Sequence, residues 1–228
     1  MPTRTAADLR TRDVLWGCVE NIYAEILAHP FVSGLSDGTL DRDAFRHYIV
    51  QDAHYLRGYA RALAVCAARA PTEQDTVMFA VHAAGAVAAE QDMHAELMSE
   101  LGSSPAEAAA EPVAPTTRAY LSYLLATTYG GSFAEGLGAV LPCYWIYARV
   151  GDELLARSSP NKLYARWIEM YGGEEFQTVV NDVLALTDRV GATLSPTEAD
   201  LVTEHFVTTS RYEWMFWDAG LRREAWPI

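Results

Sequence analysis

The stretch that decides the fold is FRHYIVQDAHYLRGYARALAVCAARA, at residues 45–70. Its apolar residues recur with the period of an amphipathic α-helix rather than with the alternation of a β-strand. We therefore predict a helix from near Asp41 to Pro71, because a residue that precedes proline avoids the helical conformation. Helical periodicity recurs along the rest of the chain, and the Asp37-Gly38 pair is assigned to a loop rather than to a hairpin turn.

Further helices are predicted on both sides of this one. Before it, a helix from about Ala7 to Ala28 is expected to end ahead of His29-Pro30. After it, helices are predicted over 71–101, 120–128, from 132 onward, 161–171, 174–190 and 196–223. The segment SSPAEAAAEPVAP at 103–115 is expected to form a loop with one helical turn. No linker or internal repeat divides these segments, so we predict a single all-α domain over residues 1–228 with seven or eight helices.

Two serine–glutamate pairs mark where predicted helices begin. Ser132 with Glu135, and Ser195 with Glu198, have the spacing of a capping box. In that motif the serine hydroxyl and the glutamate carboxylate accept hydrogen bonds from backbone amides that the first helical turn leaves unpaired. The two pairs therefore predict helix starts at about residues 133 and 196.

The composition excludes several classes of protein. The 228 residues include 50% hydrophobic side chains and carry a formal net charge of −13, which favours a folded domain and disfavours nucleic acid or anionic lipid as partners. Three widely spaced cysteines, Cys18, Cys66 and Cys143, do not form a disulfide or zinc pattern. The amino terminus lacks the apolar run of a signal peptide, and no segment is long enough to cross a bilayer. A cytoplasmic protein is the expectation.

The predicted helix near residues 41–71 contains the first candidate site residues. Asp52, Tyr55 and Tyr59 are spaced by three and four, so they share one helical face. A carboxylate among aromatic side chains is costly to bury unless something pairs with it. The two interpretations are a ligand-binding carboxylate and a solvated aspartate beside structural tyrosines.

The segment GLGAVLPCYWIYARVG at 136–151 contains the second candidate. Pro142 is expected to kink this helix at Gly138, and Cys143 follows with Tyr147 one turn later. Most buried cysteines are small apolar fillers, which is the interpretation we give to Cys18 and Cys66. For Cys143, the expected kink and the neighbouring tyrosines leave both a filler and a functional thiol open.

The last predicted helix contains SRYEWMFWDAG at 210–220, with Glu213 among aromatic residues. Burial in such surroundings raises the pKa of a carboxyl group, and a carboxylic acid that is protonated near neutral pH can act as a general acid. The alternative is an exposed glutamate at the edge of an amphipathic helix. Because the helix is so aromatic, the functional interpretation is favoured.

The sequence predicts no metal and no cofactor. Paired Glu-x-x-His motifs, which hold metals in many helical bundles, do not occur in it, and Glu90 with His94 is only a single pair. It also lacks a phosphate-binding loop, a nucleophile elbow and a dinucleotide-binding glycine motif.

Five stretches, taken together, match a known family in order and spacing over nearly the whole chain. They are HPFVSGLSDGTL (29–40), FRHYIVQDAHYL (45–56), LPCYWIYARVG (141–151), WIEMYGGEEF (167–176) and RYEWMFWDAG (211–220). The chain thereby resembles the TenA family, the thiaminase II or aminopyrimidine aminohydrolase proteins of the haem oxygenase-like helical fold. The resemblance implies a hydrolase of thiamin salvage that releases hydroxymethylpyrimidine, acts on a small aminopyrimidine and forms a homotetramer.

The resemblance also implies a role for each site residue. Cys143 would be the nucleophile, Glu213 the general acid, and Asp52 the group that binds the pyrimidine amino group and the adjacent ring nitrogen. The aromatic residues would complete the site, with the thiol assisted by Tyr55, the ring contacted by Tyr147 and Tyr171, and the pocket walls formed by Tyr120 and Phe216. A bell-shaped pH–rate profile is expected, in which activity falls as Cys143 is protonated at low pH and as Glu213 ionises at high pH.

Two other functions remain open on the sequence. One is a non-catalytic helical protein that binds a pyrimidine or a partner for regulation. The other is a metal oxygenase of the same fold, which the missing histidine pattern disfavours. A pure binding protein has no need of a reactive thiol, so the set of Cys143, Glu213 and Asp52 favours the hydrolase.

Overall fold

The structure, a computed structural model, describes residues 10–228 apart from the side chains of residues 89–95 and 105. In this part of the chain all regular secondary structure is helical, which confirms the all-α prediction. The eleven helices are α1 (Thr11–Gly17), α2 (Glu20–Leu27), α3 (Pro30–Asp37), α4 (Arg42–Arg69), α5 (Glu73–Glu100), α6 (Pro105–Ala110), α7 (Pro115–Gly130), α8 (Phe133–Leu155), α9 (Lys162–Gly172), α10 (Glu174–Gly191) and α11 (Pro196–Arg222). Across residues 10–228, no helix combines the length and the apolar character that crossing a bilayer requires.

The prediction of one helix from Ala7 to Ala28 was wrong. Residues 7–9 lie outside the described residues, and the remainder divides into α1 and α2 at Val19, whose φ of −125° and ψ of 5° interrupt the helix. Leu15, Val19 and Ile26 are all buried. Their spacings of four and seven are also those that a continuous helix would bury, so the periodicity conceals the break.

Helix α3 was not predicted at all. His29 caps it by accepting a hydrogen bond at Nδ1 from the Phe31 amide, and Pro30 occupies its first position, where a missing N–H costs nothing. The helix ends after Asp37 because Gly38 adopts a left-handed φ of +73°. The Asp37-Gly38 pair therefore ends a helix, and Pro30 begins one immediately after the predicted stop.

The other predicted helices are confirmed, with small shifts at their ends. Asp41 caps α4, and both predicted capping boxes are present, at Ser132 with Glu135 and at Ser195 with Glu198. Residues 103–115 contain the six-residue helix α6. Helix α7 extends beyond the predicted 120–128 at both ends.

Helix α8 is the centre of the fold. It packs against α11, α9, α7, α10 and α4, and it is apolar around most of its circumference, as a helix surrounded by others must be. Pro142 lies inside it without ending it. Because Cys143 follows Pro142 on this central helix, the thiol is placed where side chains from several helices converge.

A close backbone approach joins α8 to α9. A Cβ atom built on Gly151 would lie 2.4 Å from the carbonyl carbon of Tyr171 and 2.5 Å from the amide nitrogen of Gly172. These are backbone atoms, so neither can move aside as a flexible side chain would. The absence of a side chain at Gly151 therefore fixes where Tyr171 lies relative to α8.

Gly151→Ala should destabilise the protein by about 1–3 kcal/mol, since it forces α9 away from α8. Urea unfolding followed by circular dichroism measures this effect. Gly17→Ala is the matched control, because a Cβ atom at Gly17 would meet nothing within 4 Å. Equal stability of the two variants would contradict the close approach of α8 and α9.

Candidate active site

A cavity of about 380 Å³ lies between α4, α5, α8, α9 and α10. Its lining combines a few polar groups with a larger number of apolar and aromatic side chains, as is typical of small-molecule sites. The lining residues are Asp52, Leu56, Tyr59, Leu63, His82, Gly85, Ala86, Cys143, Tyr144, Tyr147, Met170, Tyr171, Glu175, Phe176 and Val179.

Four of the predicted site residues line this cavity. They are Asp52 from α4, Cys143 and Tyr147 from α8, and Tyr171 from α9. The rings of Tyr147 and Tyr171 have centroids 4.9 Å apart, so they form a continuous aromatic surface beside the thiol. Three helices thus bring a carboxyl group, a thiol and two phenols to one cavity.

The other four predicted residues are buried and do not line the cavity. Glu213 is 1% exposed and accepts a hydrogen bond of 2.6 Å at Oε1 from the Tyr120 hydroxyl. The ring of Tyr55 lies between those of Tyr120 and Phe216, with centroid distances of 4.9 Å and 5.6 Å. Tyr120 and Phe216, expected as pocket walls, therefore belong to a layer that supports the Glu213 carboxyl and Tyr55.

The Cys143 thiol is only partly shielded because it faces the cavity. Its burial away from bulk water raises the pKa of Cys143 well above the ordinary value, and the nearby Glu213 carboxyl adds to this rise. The hydroxyls of Tyr55 and Tyr59 act on the pKa in the opposite direction. The thiol is therefore neutral at neutral pH. The bell-shaped rate profile expected from the sequence stays a prediction.

The Glu213 carboxyl has the environment that the sequence predicted. Burial raises the pKa of Glu213 to about 8, the charge of Asp52 adds to the rise, and the Tyr120 hydrogen bond opposes it. At neutral pH the group is therefore mainly a neutral carboxylic acid. A carboxylic acid that is protonated near neutral pH is what a general acid needs, once it lies within hydrogen-bond reach of the atom that it protonates.

Asp52 is 3% exposed and lies at the centre of these groups. Its negative charge raises the pKa of Glu213, of Cys143 and of Tyr171. A charge that perturbs three neighbours on three other helices must lie close to all of them. Asp52 and Cys143 therefore share the cavity, and Glu213 lies behind its wall, close enough for its pKa to respond to Asp52.

Sequence reasoning missed the contribution of α5 and α10 to the cavity. His82 of α5 lines it and shares a hydrogen bond of 3.1 Å between its Nδ1 and the Tyr144 hydroxyl. Glu175 and Phe176 of α10 line its other side. Glu175 and Phe176 are inside the quoted stretch 167–176, but nothing in the sequence around His82 indicated that α5 lies against α8.

The charges around the cavity have one sign. Of the lining residues that the structure describes, Asp52 and Glu175 are acidic, and none is lysine or arginine. Such a cavity attracts cations and repels phosphate groups. Among the described residues, no three His, Cys, Asp or Glu side chains are grouped as metal ligands would be, and the side chains of Glu90 and His94 lie outside that set.

The chain is similar to known proteins over most of its length. The model of the TENA/THI-4/PQQC family matches residues 16–223. The aminopyrimidine aminohydrolase of Bacillus subtilis (strain 168) is 37% identical over 198 residues, which cover 87% of this chain and 84% of that protein.

Solved structures agree with this comparison. The TenA homologue from P. horikoshii OT3 superimposes with a TM-score of 0.87 at 30% identity, over 94% of this chain and 99% of that one. A domain of unknown function with a heme oxygenase-like fold from Shewanella denitrificans OS217 superimposes with a TM-score of 0.73 at 15% identity, over 92% and 91% of the two chains. These likenesses confirm the predicted haem oxygenase-like fold.

The buried Glu213 carboxyl predicts a specific dependence of stability on pH. Because the folded protein binds this proton more tightly than the unfolded chain does, stability falls as pH rises from 4.5 to about 8. The integrated loss for one group of this kind is roughly 3–5 kcal/mol. Glu213→Gln should remove that loss, so the variant becomes more stable than the wild type near pH 8.5.

Chemical denaturation of both proteins at several pH values between 5 and 9 tests this expectation. Glu204→Gln, which removes an exposed carboxyl from the same helix, is the control and should retain the wild-type slope. Parallel stability profiles for the wild type and Glu213→Gln would show that this carboxyl is ionised throughout the range.

Proposed function

Since the chain belongs to the TENA/THI-4/PQQC family, we propose that it is a hydrolase of thiamin salvage, an aminopyrimidine aminohydrolase. Its substrate is 4-amino-5-aminomethyl-2-methylpyrimidine, and its product is the corresponding hydroxymethylpyrimidine. The observation that carries the proposal is the presence of Asp52 and Cys143 in one cavity with aromatic walls. A flat ring with an amino substituent fits such walls and offers a hydrogen-bond donor to the carboxyl group.

The bound ring has three partners in this proposal. The amino group donates to the Asp52 carboxylate, and the ring lies against Tyr147 and Tyr171, which form one aromatic surface. The Cys143 thiol then faces the ring carbon next to the substituted position. Such positioning converts a reaction between separate molecules into one between groups already in contact.

Covalent catalysis proceeds in two halves. The sulfur of Cys143 adds to the ring carbon while Glu213 gives its proton to the ring nitrogen, and the electrons gained by the ring expel the aminomethyl nitrogen, which leaves as ammonia from its ammonium form. Water then adds to the exocyclic carbon and gives its extra proton to the released ammonia. The ring nitrogen returns its proton to Glu213, and cysteine departs as a thiolate. Because Glu213 lies behind the cavity wall, this role requires that ring binding open the layer between them.

The negative charge of the cavity indicates which aminopyrimidines it can bind. Asp52 and Glu175 line it without a neighbouring lysine or arginine, as far as its described lining shows. Neutral and cationic aminopyrimidines therefore bind, whereas phosphorylated ones are repelled. Thiamin carries a cationic leaving group and is a possible second substrate on this basis.

A homotetramer is a further part of the proposal. Helix α5 exposes Val77, Val81 and Val87, which are apolar side chains that a contact with another copy would cover. These residues lie on the helix that also supplies His82 to the cavity.

Incubation of the wild type with the aminomethylpyrimidine, thiamin and thiamin monophosphate, each separately, tests the proposed function. We expect release of hydroxymethylpyrimidine from the first, and slower release from thiamin monophosphate than from thiamin because of the acidic cavity. Chromatography of the products gives the rates. If none of the three is hydrolysed although the aminomethylpyrimidine binds, the protein is a pyrimidine-binding protein instead.

Cys143→Ser should lower turnover by on the order of 1,000-fold or more while pyrimidine binding and folding are retained, because a hydroxyl is a far weaker nucleophile than a thiol of similar size. Steady-state kinetics and isothermal titration calorimetry separate the two effects. Cys18→Ser and Cys66→Ser are matched controls, since neither cysteine lines the cavity. Unchanged turnover in Cys143→Ser would exclude the covalent mechanism.

A further inference from the structure

The mechanism leaves one proton without a destination. The Cys143 thiol is neutral, so its proton must leave when sulfur bonds to the ring carbon. Glu213 is itself protonated, and Asp52 is assigned to the amino group of the substrate. Another acceptor is therefore needed within reach of the sulfur.

His82 is the unused basic side chain of the cavity. It reaches the cavity from α5, and its Nδ1 is 3.1 Å from the Tyr144 hydroxyl, a distance typical of a hydrogen bond. The two rings also touch, with centroids 5.6 Å apart. Tyr144 follows Cys143 directly on α8, so this contact brings the imidazole to the helix that carries the thiol.

Tyr59 connects the Cys143 thiol with Tyr144. It lines the same cavity as Cys143 and Tyr144, and its hydroxyl lowers the pKa of both. The rings of Tyr59 and Tyr144 meet edge to face with centroids 5.8 Å apart. The order of groups along the cavity wall is therefore thiol, phenol, phenol and imidazole.

We propose that His82 is the base that receives the Cys143 proton, through the hydroxyls of Tyr59 and Tyr144. The inference rests on the proposed function, because the ring carbon of the pyrimidine is the atom that sulfur attacks. His82 does not need to touch the reacting atoms, because it acts through the two tyrosine hydroxyls. His82 is thus a positioning residue for the proton, while Cys143 remains the catalytic nucleophile.

The transfer is balanced. As the sulfur–carbon bond forms, the thiol proton passes to the Tyr59 oxygen, the Tyr59 proton to Tyr144, and the Tyr144 proton to Nδ1 of His82. Both phenols end neutral, and the histidine becomes an imidazolium. When cysteine leaves the ring as a thiolate, the same three protons return and the thiol is restored.

One hydroxyl must turn for this path to operate. Tyr59 now donates to the Val140 carbonyl oxygen at 2.9 Å, so its O–H bond has to rotate toward Tyr144. Rotation about a single C–O bond leaves the ring in place. When no proton is being transferred, the Val140 carbonyl therefore keeps the Tyr59 hydroxyl in place.

Burial keeps His82 a neutral imidazole that can accept a proton, and the charges that face it favour the imidazolium. Burial lowers the pKa of His82 below its ordinary value of 6.5, whereas the charge of Asp182 on α10 opposes this. Glu175 of α10 and Asp52 of α4 face the same cavity, and Tyr144 approaches from α8. These acidic groups stabilise an imidazolium once it forms, so the proton is accepted without a large penalty.

The experiment compares His82→Gln and Tyr144→Phe with the wild type in the pH dependence of kcat/KM. Glutamine retains an amide oxygen for Tyr144 but cannot take up a proton. We expect both variants to lose about 100-fold in kcat/KM, mainly through kcat, which is the lower end of what a general base contributes. The wild type should show an acidic limb with a midpoint below 6.5, and that limb should vanish in His82→Gln.

His205→Gln is the matched control. His205 is also paired with a phenol, at 2.8 Å between its Nδ1 and the Tyr123 hydroxyl, but neither residue lines the cavity. It should retain wild-type kinetics. A His82→Gln enzyme that keeps the acidic limb, or that keeps full kcat, would overturn the proposal.

A second measurement does not depend on the substrate. Alkylation of Cys143 by iodoacetamide, followed by mass spectrometry at pH 6.5–8, reports how readily the thiol gives up its proton. It should be several-fold slower in His82→Gln and Tyr144→Phe than in the wild type and His205→Gln. Equal alkylation rates would overturn the relay even in an enzyme that turns over, and slower alkylation would support it even if no aminopyrimidine were hydrolysed.

Discussion

The burial of the Glu213 carboxyl among helices is the constraint on which the site depends. In an all-helical fold the backbone hydrogen bonds are satisfied within each helix, so the polarity of the core comes from the side chains that the helices bring to it. Glu213 is 1% exposed and accepts a hydrogen bond from Tyr120. It is therefore kept as an acid at neutral pH, and the same burial costs stability at high pH.

The sequence was sufficient for the long helices and for the residues that share a helix. Asp52 and Tyr59 of α4 could be placed on one face by their spacing, and the aromatic neighbours of Glu213 correctly predicted the rise in its pKa. Periodicity within one helix says which face is buried, but it does not say which other helix covers that face. For that reason His82 of α5 and Phe176 of α10 could not be assigned to the cavity from spacing alone.

The errors at the amino-terminal end have a similar origin. The break at Val19 preserves the spacing of buried residues, so the pattern on either side is that of one helix. Pro30 was taken as a stop, although proline at the first position of a helix is equally compatible with a start, and His29 supplies the cap. In both cases the local sequence is compatible with two structures, and tertiary packing decides which one forms.

The protonation states of the empty site follow first from burial, which disfavours any charged form, and then from the repulsion between buried negative charges. Asp52 raises the pKa of both Cys143 and Glu213, and Glu213 raises that of Cys143, so a second and a third negative charge are each disfavoured beside the first. The thiol and the acid are consequently both protonated before substrate binds. In the proposed mechanism, sulfur becomes nucleophilic only as its proton departs, which couples attack on the ring to proton movement.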